Sequence, residues 1–265
     1  MEDKLIIAGQ EIRSRLIIGT GKYRSMDDMV QCFDSSGAEI VTVAIRRLDL
    51  DKPGEKTLLD YIDLSKYRIL PNTAGSTNVD EALFAAKLGR EVTGSNWVKL
   101  EVIPDSKYLL PDSVGTLKAA EILVKEGFIV LPYINPDPVL ARQLEDVGCS
   151  TVMPLGSAIG SGQGIIAKEE IEILIESVNI PVVVDAGLGS ASDVSLAMEI
   201  GADAVLVNTA IAQAQHPLLM AEAMSLGVEG GRKTFLAGRI AKKRYASASS
   251  PEVGLPRPGI MEGDD

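Results

Sequence analysis

The chain has 265 residues, of which 46% are hydrophobic and 24% charged, with a formal net charge of −11. That composition suits a soluble globular protein, and its acidic balance argues against nonspecific nucleic-acid or acidic-membrane binding, which needs a basic face. Two cysteines, Cys32 and Cys149, are too few for a disulfide framework or a zinc site, and no run of 18 apolar residues is present to span a membrane. The start MEDKLIIAG lacks a basic segment followed by a long apolar run, so a cytoplasmic protein is expected.

In chain order, LIIAGQEI (5–12) reads as a hairpin with AGQ at its turn. Eight short apolar runs follow: RLIIGT (15–20), EIVTVAI (39–45), YRILPNT (67–73), WVKLEVI (97–103), FIVLPYI (128–134), STVMPLG (150–156), PVVVDAG (181–187) and AVLVNTA (204–210). Several are continuous rather than alternating, as in strands covered on both faces. Helical patterns separate most of them: MDDMVQCFDSS, NVDEALFAAKLGREV, TLKAAEILVKEG, DPVLARQLEDVG, AKEEIEILIESV and SASDVSLAMEIG. SGAEIVTV, VGCSTVMP, IGADAVLV and, more loosely, EGFIVLP each place a glycine at a helix end before a strand, where positive φ is needed. Ser25, Asn78 and Ser190 or Ser192 stand at the other ends as caps.

Alternating strands and helices of this number predict an α/β fold, a single (β/α)₈ barrel over residues 1–245 with the N-terminal hairpin closing its bottom. The Ser-, Pro- and Gly-rich stretch 246–265 is expected to be a loosely ordered tail.

In such a barrel, chemistry gathers at the C-terminal ends of strands. Those positions hold GTGKYRS (19–25), Arg46 and Arg47, NTAGSTN (72–78), Lys99 and Glu101, GSAIGSGQG (156–164), DAGLGS (185–190) and NTA (208–210). The last two suggest a phosphate pocket: Gly187 and Gly189 admit a close ligand, a helix start near Ser190 offers N–H groups, and Asn208 and Thr209 add donors. GTGKYRS is not a Walker A loop, and GLGSAS lacks the third glycine of a dinucleotide fingerprint. The sole histidine, His216, precedes a proline and is expected at a helix start, which leaves no Ser-His-Asp triad and no histidine-bound zinc.

Lys99 and Glu101 are two residues apart on one strand and therefore share a face. Asp185 ends another strand at the same rim. Burial frees a neutral lysine amine for attack on a carbonyl, while nearby carboxylates oppose that shift but move the protons imine chemistry needs. The residues alone point to imine chemistry on a phosphorylated carbonyl compound, and leave a class I sugar-phosphate aldolase and a non-catalytic phosphosugar-binding barrel open.

From about Ile17 to Pro251, the chain resembles the thiazole synthases that build the thiazole phosphate of thiamin. The resemblance is carried by VTVAIRR (41–47), PNTAG (71–75), WVKLEVI (97–103) with LLPD (109–112), IGSGQGI (159–165), VVDAGLGS (183–190) and VNTAIA (207–212). It implies an imine between Lys99 and 1-deoxy-D-xylulose 5-phosphate, with Glu101 and Asp185 as acid/base groups. Substrate contacts map onto Gly160, Ala186, Gly187, Asn208 and Thr209. It implies condensation with dehydroglycine and sulfur from the C-terminal thiocarboxylate of a ubiquitin-like sulfur-carrier protein. A homo-oligomer without metal or other cofactor is implied as well. Ser76, where the family commonly has cysteine, and Asn135–Pro136 depart from its pattern.

Overall fold

Two adjacent residues with positive φ, Ala8 (50°) and Gly9 (73°), form a tight turn near the N-terminus. That backbone matches the twist of a two-residue hairpin. It joins β1 (Leu5–Ile7) to antiparallel β2 (Gln10–Ile12), with Leu5 opposite Ile12 and Ile7 opposite Gln10. Gln10, expected in the turn, is therefore in a strand. The structure, a computed structural model, describes residues 3–47, 56–247 and 249. Most of the expected 246–265 tail lies outside them.

Parallel strands then follow: β3 (Leu16–Gly19), β4 (Ile40–Ala44), β5 (Arg68–Asn72), β6 (Trp97–Leu100), β7 (Ile129–Ile134), β8 (Met153–Pro154), β9 (Val183–Asp185) and β10 (Ala204–Val207). Their spatial order is β8-β7-β6-β5-β4-β3-β10-β9. The ring closes where Val152 bridges Val182 and Leu155 bridges Asp185. This is the expected (β/α)₈ barrel. Each strand lies within its expected run but is shorter, β8 most of all, because Pro154 has no N–H to give to a ladder. There Leu155 N–H donates to Ile134 O (3.0 Å) and Val183 N–H to Val152 O (2.9 Å).

The helices between strands are α1 (Met26–Ser36), α2 (Val79–Thr93), α3 (Ser113–Lys125), α4 (Pro138–Asp146), α5 (Lys168–Ser177) and α6 (Ala191–Glu199). Their ends follow the local chemistry. Ser25 accepts Asp28 N–H and Asn78 accepts Glu81 N–H, each at 3.0 Å, and Ser190, rather than Ser192, caps α6 in a capping box with Asp193. Gly37, Gly127, Gly148 and Gly201 all take positive φ at the helix-to-strand turns, as the repeated pattern implied.

Beyond those six helices, the chain adds a short α7 (Thr209–Ala212) and the 21-residue α8 (Pro217–Ala237). Glycines mask α8 in the sequence, because they break helix propensity, but here they permit close packing. A Cβ on Gly231 would lie 2.4 Å from Ser195 O of α6, and one on Gly227 2.6 Å from Ala191 O. Gly230 faces open space. Gly231→Ala is therefore expected to destabilise the protein by about 1–3 kcal/mol through overpacking. Gly230→Ala should instead stabilise it by about 0.5–1 kcal/mol. Urea unfolding of the two variants reads the opposite signs directly.

Inside the barrel, Leu5, Ile7 and Ile12 of the hairpin pack on inward Ile17, Ile40 and Leu70, which closes the bottom. Outward Val98, Leu100 and Val102 pack with Ala82 and Ala86 of α2 and Ala119 and Ala120 of α3. Inward positions near the other end are polar. No helix among the described residues is long and apolar enough to cross a membrane.

Candidate active site

Period-two alternation turns Val98 outward and leaves Lys99 facing the barrel axis. Glu101 lies one residue past the end of β6 on the same face, held by Thr73. The Thr73 hydroxyl donates to Glu101 O (2.7 Å) and accepts from Glu101 N–H (2.8 Å), extending the strand pairing by a side chain. Asp185 is the last residue of β9. Barrel closure brings it to Lys99: Nζ lies 2.5 Å from Asp185 Oδ2 and 3.3 Å from Glu101 Oε1. All three side chains are less than 10% exposed.

Two carboxylates thus share one ammonium away from water. Burial pulls the Lys99 pKa down, but the charges of Asp185 and then Glu101 outweigh it and set the net shift upward. Glu101 also moves upward: burial raises it, and Lys99 only partly offsets that while Asp185 adds to it. The competition left open by the sequence is thereby decided in favour of pairing, so the resting lysine is protonated. It needs a proton acceptor before it can act as a nucleophile, and one lies in contact with it.

Above this cluster opens a cavity of about 600 Å³. Lys99, Glu101 and Asp185 line its floor, and Gly160, Ala186, Gly187, Asn208 and Thr209 line its walls. The fold therefore brings together every residue expected at the site. Ala186 and Gly187 take consecutive positive φ values of 67° and 74°. At Gly187 glycine is required twice over, because a Cβ would lie 1.9 Å from Ser157 Oγ. The 156–164 loop is tied to the end of β9: Gly156 N–H donates to Asp185 O (3.0 Å) and Gly164 N–H to Gly187 O (2.8 Å). Only its tip, Ile159–Gln163, is exposed.

Two details of the expected anion pocket change. The Asp193 carboxylate accepts from Gly189 N–H (2.9 Å) and Ser190 N–H (3.0 Å), so those groups at the start of α6 are already engaged. Asn208 Oδ1 accepts from Gly21 N–H (3.1 Å), binding the 19–25 loop to the end of β10. In their place the structure offers a cation that the sequence reading passed over. Lys22 holds a left-handed φ of 69°, costly for a residue with a Cβ. Its Nζ and Thr209 Oγ1 lie 3.8 and 3.7 Å from the point where a Cβ on Gly160 would sit. No carboxylate among the described residues pairs with Lys22. Its signal was GTGK directly after the first barrel strand, set aside because it fails as a nucleotide loop.

His216 is exposed at the start of α8, outside the cavity. Ser76 and Asn135 also stay off the cavity wall. The Ser76 carbonyl accepts Ile103 N–H (2.8 Å), and Asn135 Nδ2 donates to Pro111 O (3.3 Å).

Comparison with known proteins agrees with this geometry. Residues 6–251 match the family model described as thiazole biosynthesis protein ThiG. A thiazole synthase of Prochlorococcus marinus is 58% identical over 95% of this chain and 97% of its own length. The bifunctional protein ThiO/ThiG of Nostoc sp. is 58% identical over 96% of this chain, which corresponds to 40% of that longer protein. Among solved structures, BexX of Amycolatopsis orientalis, crystallised as a BexX/CysO complex, superposes with a TM-score of 0.82 at 34% identity, covering 92% of this chain and 100% of that one. The chain belongs to the ThiG family of thiazole biosynthesis proteins, the thiazole synthases of thiamin biosynthesis.

Proposed function

We propose that this chain forms its thiazole product through an imine on Lys99, using 1-deoxy-D-xylulose 5-phosphate as the carbon skeleton. The observation that carries this reading is the buried Lys99 ammonium, 2.5 Å from Asp185 Oδ2 at the floor of a sugar-sized cavity. An Nζ proton passes to a neighbouring carboxylate, and the free amine attacks the substrate ketone. The carbinolamine hydroxyl takes up a proton and leaves as water, giving the iminium. A carboxylate then removes the proton from the adjacent carbon, and reprotonation moves the carbonyl along the chain.

The substrate phosphate lies at the far end of the cavity, against Gly160, Ala186, Gly187, Asn208 and Thr209, with Lys22 neutralising it. Sulfur arrives on the C-terminal thiocarboxylate of a ubiquitin-like sulfur-carrier protein, and dehydroglycine supplies the remaining ring atoms. The BexX/CysO complex supports a protein partner on this scaffold. Exposed Leu219 and Leu226 on α8 support a homo-oligomer.

Incubation with 1-deoxy-D-xylulose 5-phosphate and borohydride, followed by peptide mass mapping, tests the imine. A reduced adduct on the Lys99 peptide is expected, and an unmodified peptide at saturating substrate would sink the reading. Lys22→Met tests the phosphate end separately. Losing one charge-assisted contact of about 1.5–3 kcal/mol should raise KM roughly 10- to 100-fold with little change in kcat. Trapping of the unphosphorylated ketose should not change.

A further inference from the structure

One buried polar group beside the cluster has no partner. Tyr133, an inward residue of β7, is fully buried among Ile103, Leu155, Leu109 and Ala186. Its ring lies under the lysine, with Lys99 Nζ 5.6 Å from the ring centroid. Its hydroxyl is shielded from solvent and makes no hydrogen bond. Such a group costs about 1–3 kcal/mol, and phenylalanine would fill the same space without that cost. Packing therefore does not explain the hydroxyl.

The chemistry next to it does. A lysine ammonium presents three N–H donors to Asp185 and Glu101, whereas an iminium nitrogen presents one. Forming the imine therefore removes two donors from a buried carboxylate pair. When one carboxylate then takes the proton from the substrate carbon, the iminium charge also disappears and the other carboxylate is left anionic in a dry site. We propose that Tyr133 is a positioning residue whose hydroxyl donates to the Glu101–Asp185 pair once Lys99 is bound to substrate, setting the rate of the proton transfers that follow imine formation. Burial, together with the charges of Asp185 and Glu101, pushes the phenol pKa well above its ordinary value. The group thus keeps its proton and acts as a donor throughout. It does not line the cavity, so it works through the carboxylates rather than on the substrate.

This inference rests on the imine reading, and its test separates the two. The full-length Tyr133→Phe variant is compared with the unaltered protein in two assays: borohydride trapping at Lys99, and exchange of the substrate's adjacent-carbon hydrogen in D₂O, followed by NMR over a pH series. Trapping within about threefold of the parent, with exchange reduced roughly 10- to 100-fold and its pH profile displaced, supports the proposal. Exchange that is unchanged while the parent still traps overturns it and leaves the imine standing. A parallel loss of trapping and thermal stability marks a merely structural role and also overturns it. No trapping in the parent refutes the imine itself. Should Tyr133→Phe fail to fold, 3-fluorotyrosine at position 133 keeps the ring and the donor. Exchange should then persist with a shifted pH profile, and an unshifted profile overturns the proposal.

Discussion

Replacing Lys99 by alanine or arginine is expected to abolish thiazole formation, with turnover falling by about four orders of magnitude or more, as for loss of a covalent nucleophile. The two variants should differ in stability. Lys99→Ala leaves Glu101 and Asp185 buried without their cation, and breaking a buried ion pair from one side costs about 3–5 kcal/mol. That loss should shrink in acid, where Glu101, whose pKa burial already raises, takes up a proton. Lys99→Arg keeps the charge but cannot form the imine, so it should stay folded and remain inactive. The adduct should be absent from both, and an adduct at another lysine would move the nucleophile elsewhere. In the parent protein the Lys99 pKa is raised on folding. Its pairing therefore stabilises the fold fully below the ordinary lysine range and is lost as pH rises through the folded value, which thermal melts in alkaline buffer should register.

Asp185→Asn is expected to split the reaction. The Asp185 charge is the largest influence holding the Lys99 pKa up against burial, so removing it should leave more neutral amine at neutral pH. Imine trapping should then begin at a lower pH than in the parent and be no slower near neutrality. Turnover should nonetheless fall by about 10²- to 10⁴-fold, because the later proton transfers have lost a carboxylate. Paired trapping and product assays between pH 6 and 9 distinguish this from a binding defect. If both rates fall together with a raised KM, Asp185 holds the substrate rather than the proton.

Much of this site is local information. Lys99 and Glu101 share a face because strand residues alternate, and that alternation is visible in WVKLE. Each glycine of the helix-to-strand turns is legible for a similar reason, since positive φ at Gly37, Gly127, Gly148 and Gly201 is a property of one residue and its neighbours. The caps at Ser25 and Asn78 follow the same logic. Membership of the thiazole synthases also rests on short motifs that survive as strings. It removes the aldolase and the non-catalytic barrel, which the bare residues had left open.

Other features depend on residues distant in sequence. Asp185 reaches Lys99 only because the bridges Val152–Val182 and Leu155–Asp185 on either side of β8 close the ring, and no period along the chain encodes that 2.5 Å contact. The direction of the Lys99 shift was undecided until burial and two charges were set at definite separations, because desolvation and pairing have opposite signs. Helix α8 was hidden because the glycines that break its pattern exist for α6, whose carbonyls they approach. Lys22 looked like part of a failed nucleotide motif until the loops carrying Gly160 and Thr209 met it. Tyr133 looked like one more apolar strand residue until its hydroxyl stood without a partner on a ring 5.6 Å from Lys99 Nζ. The sequence by itself determined the eight strand runs, the caps and glycines at the helix ends and the chemical character of the barrel mouth, all set by torsions and alternation within a few residues. Tertiary structure alone decided which charges meet, which donors are already engaged and which hydroxyl is left over, because those depend on distances that exist only once the barrel closes.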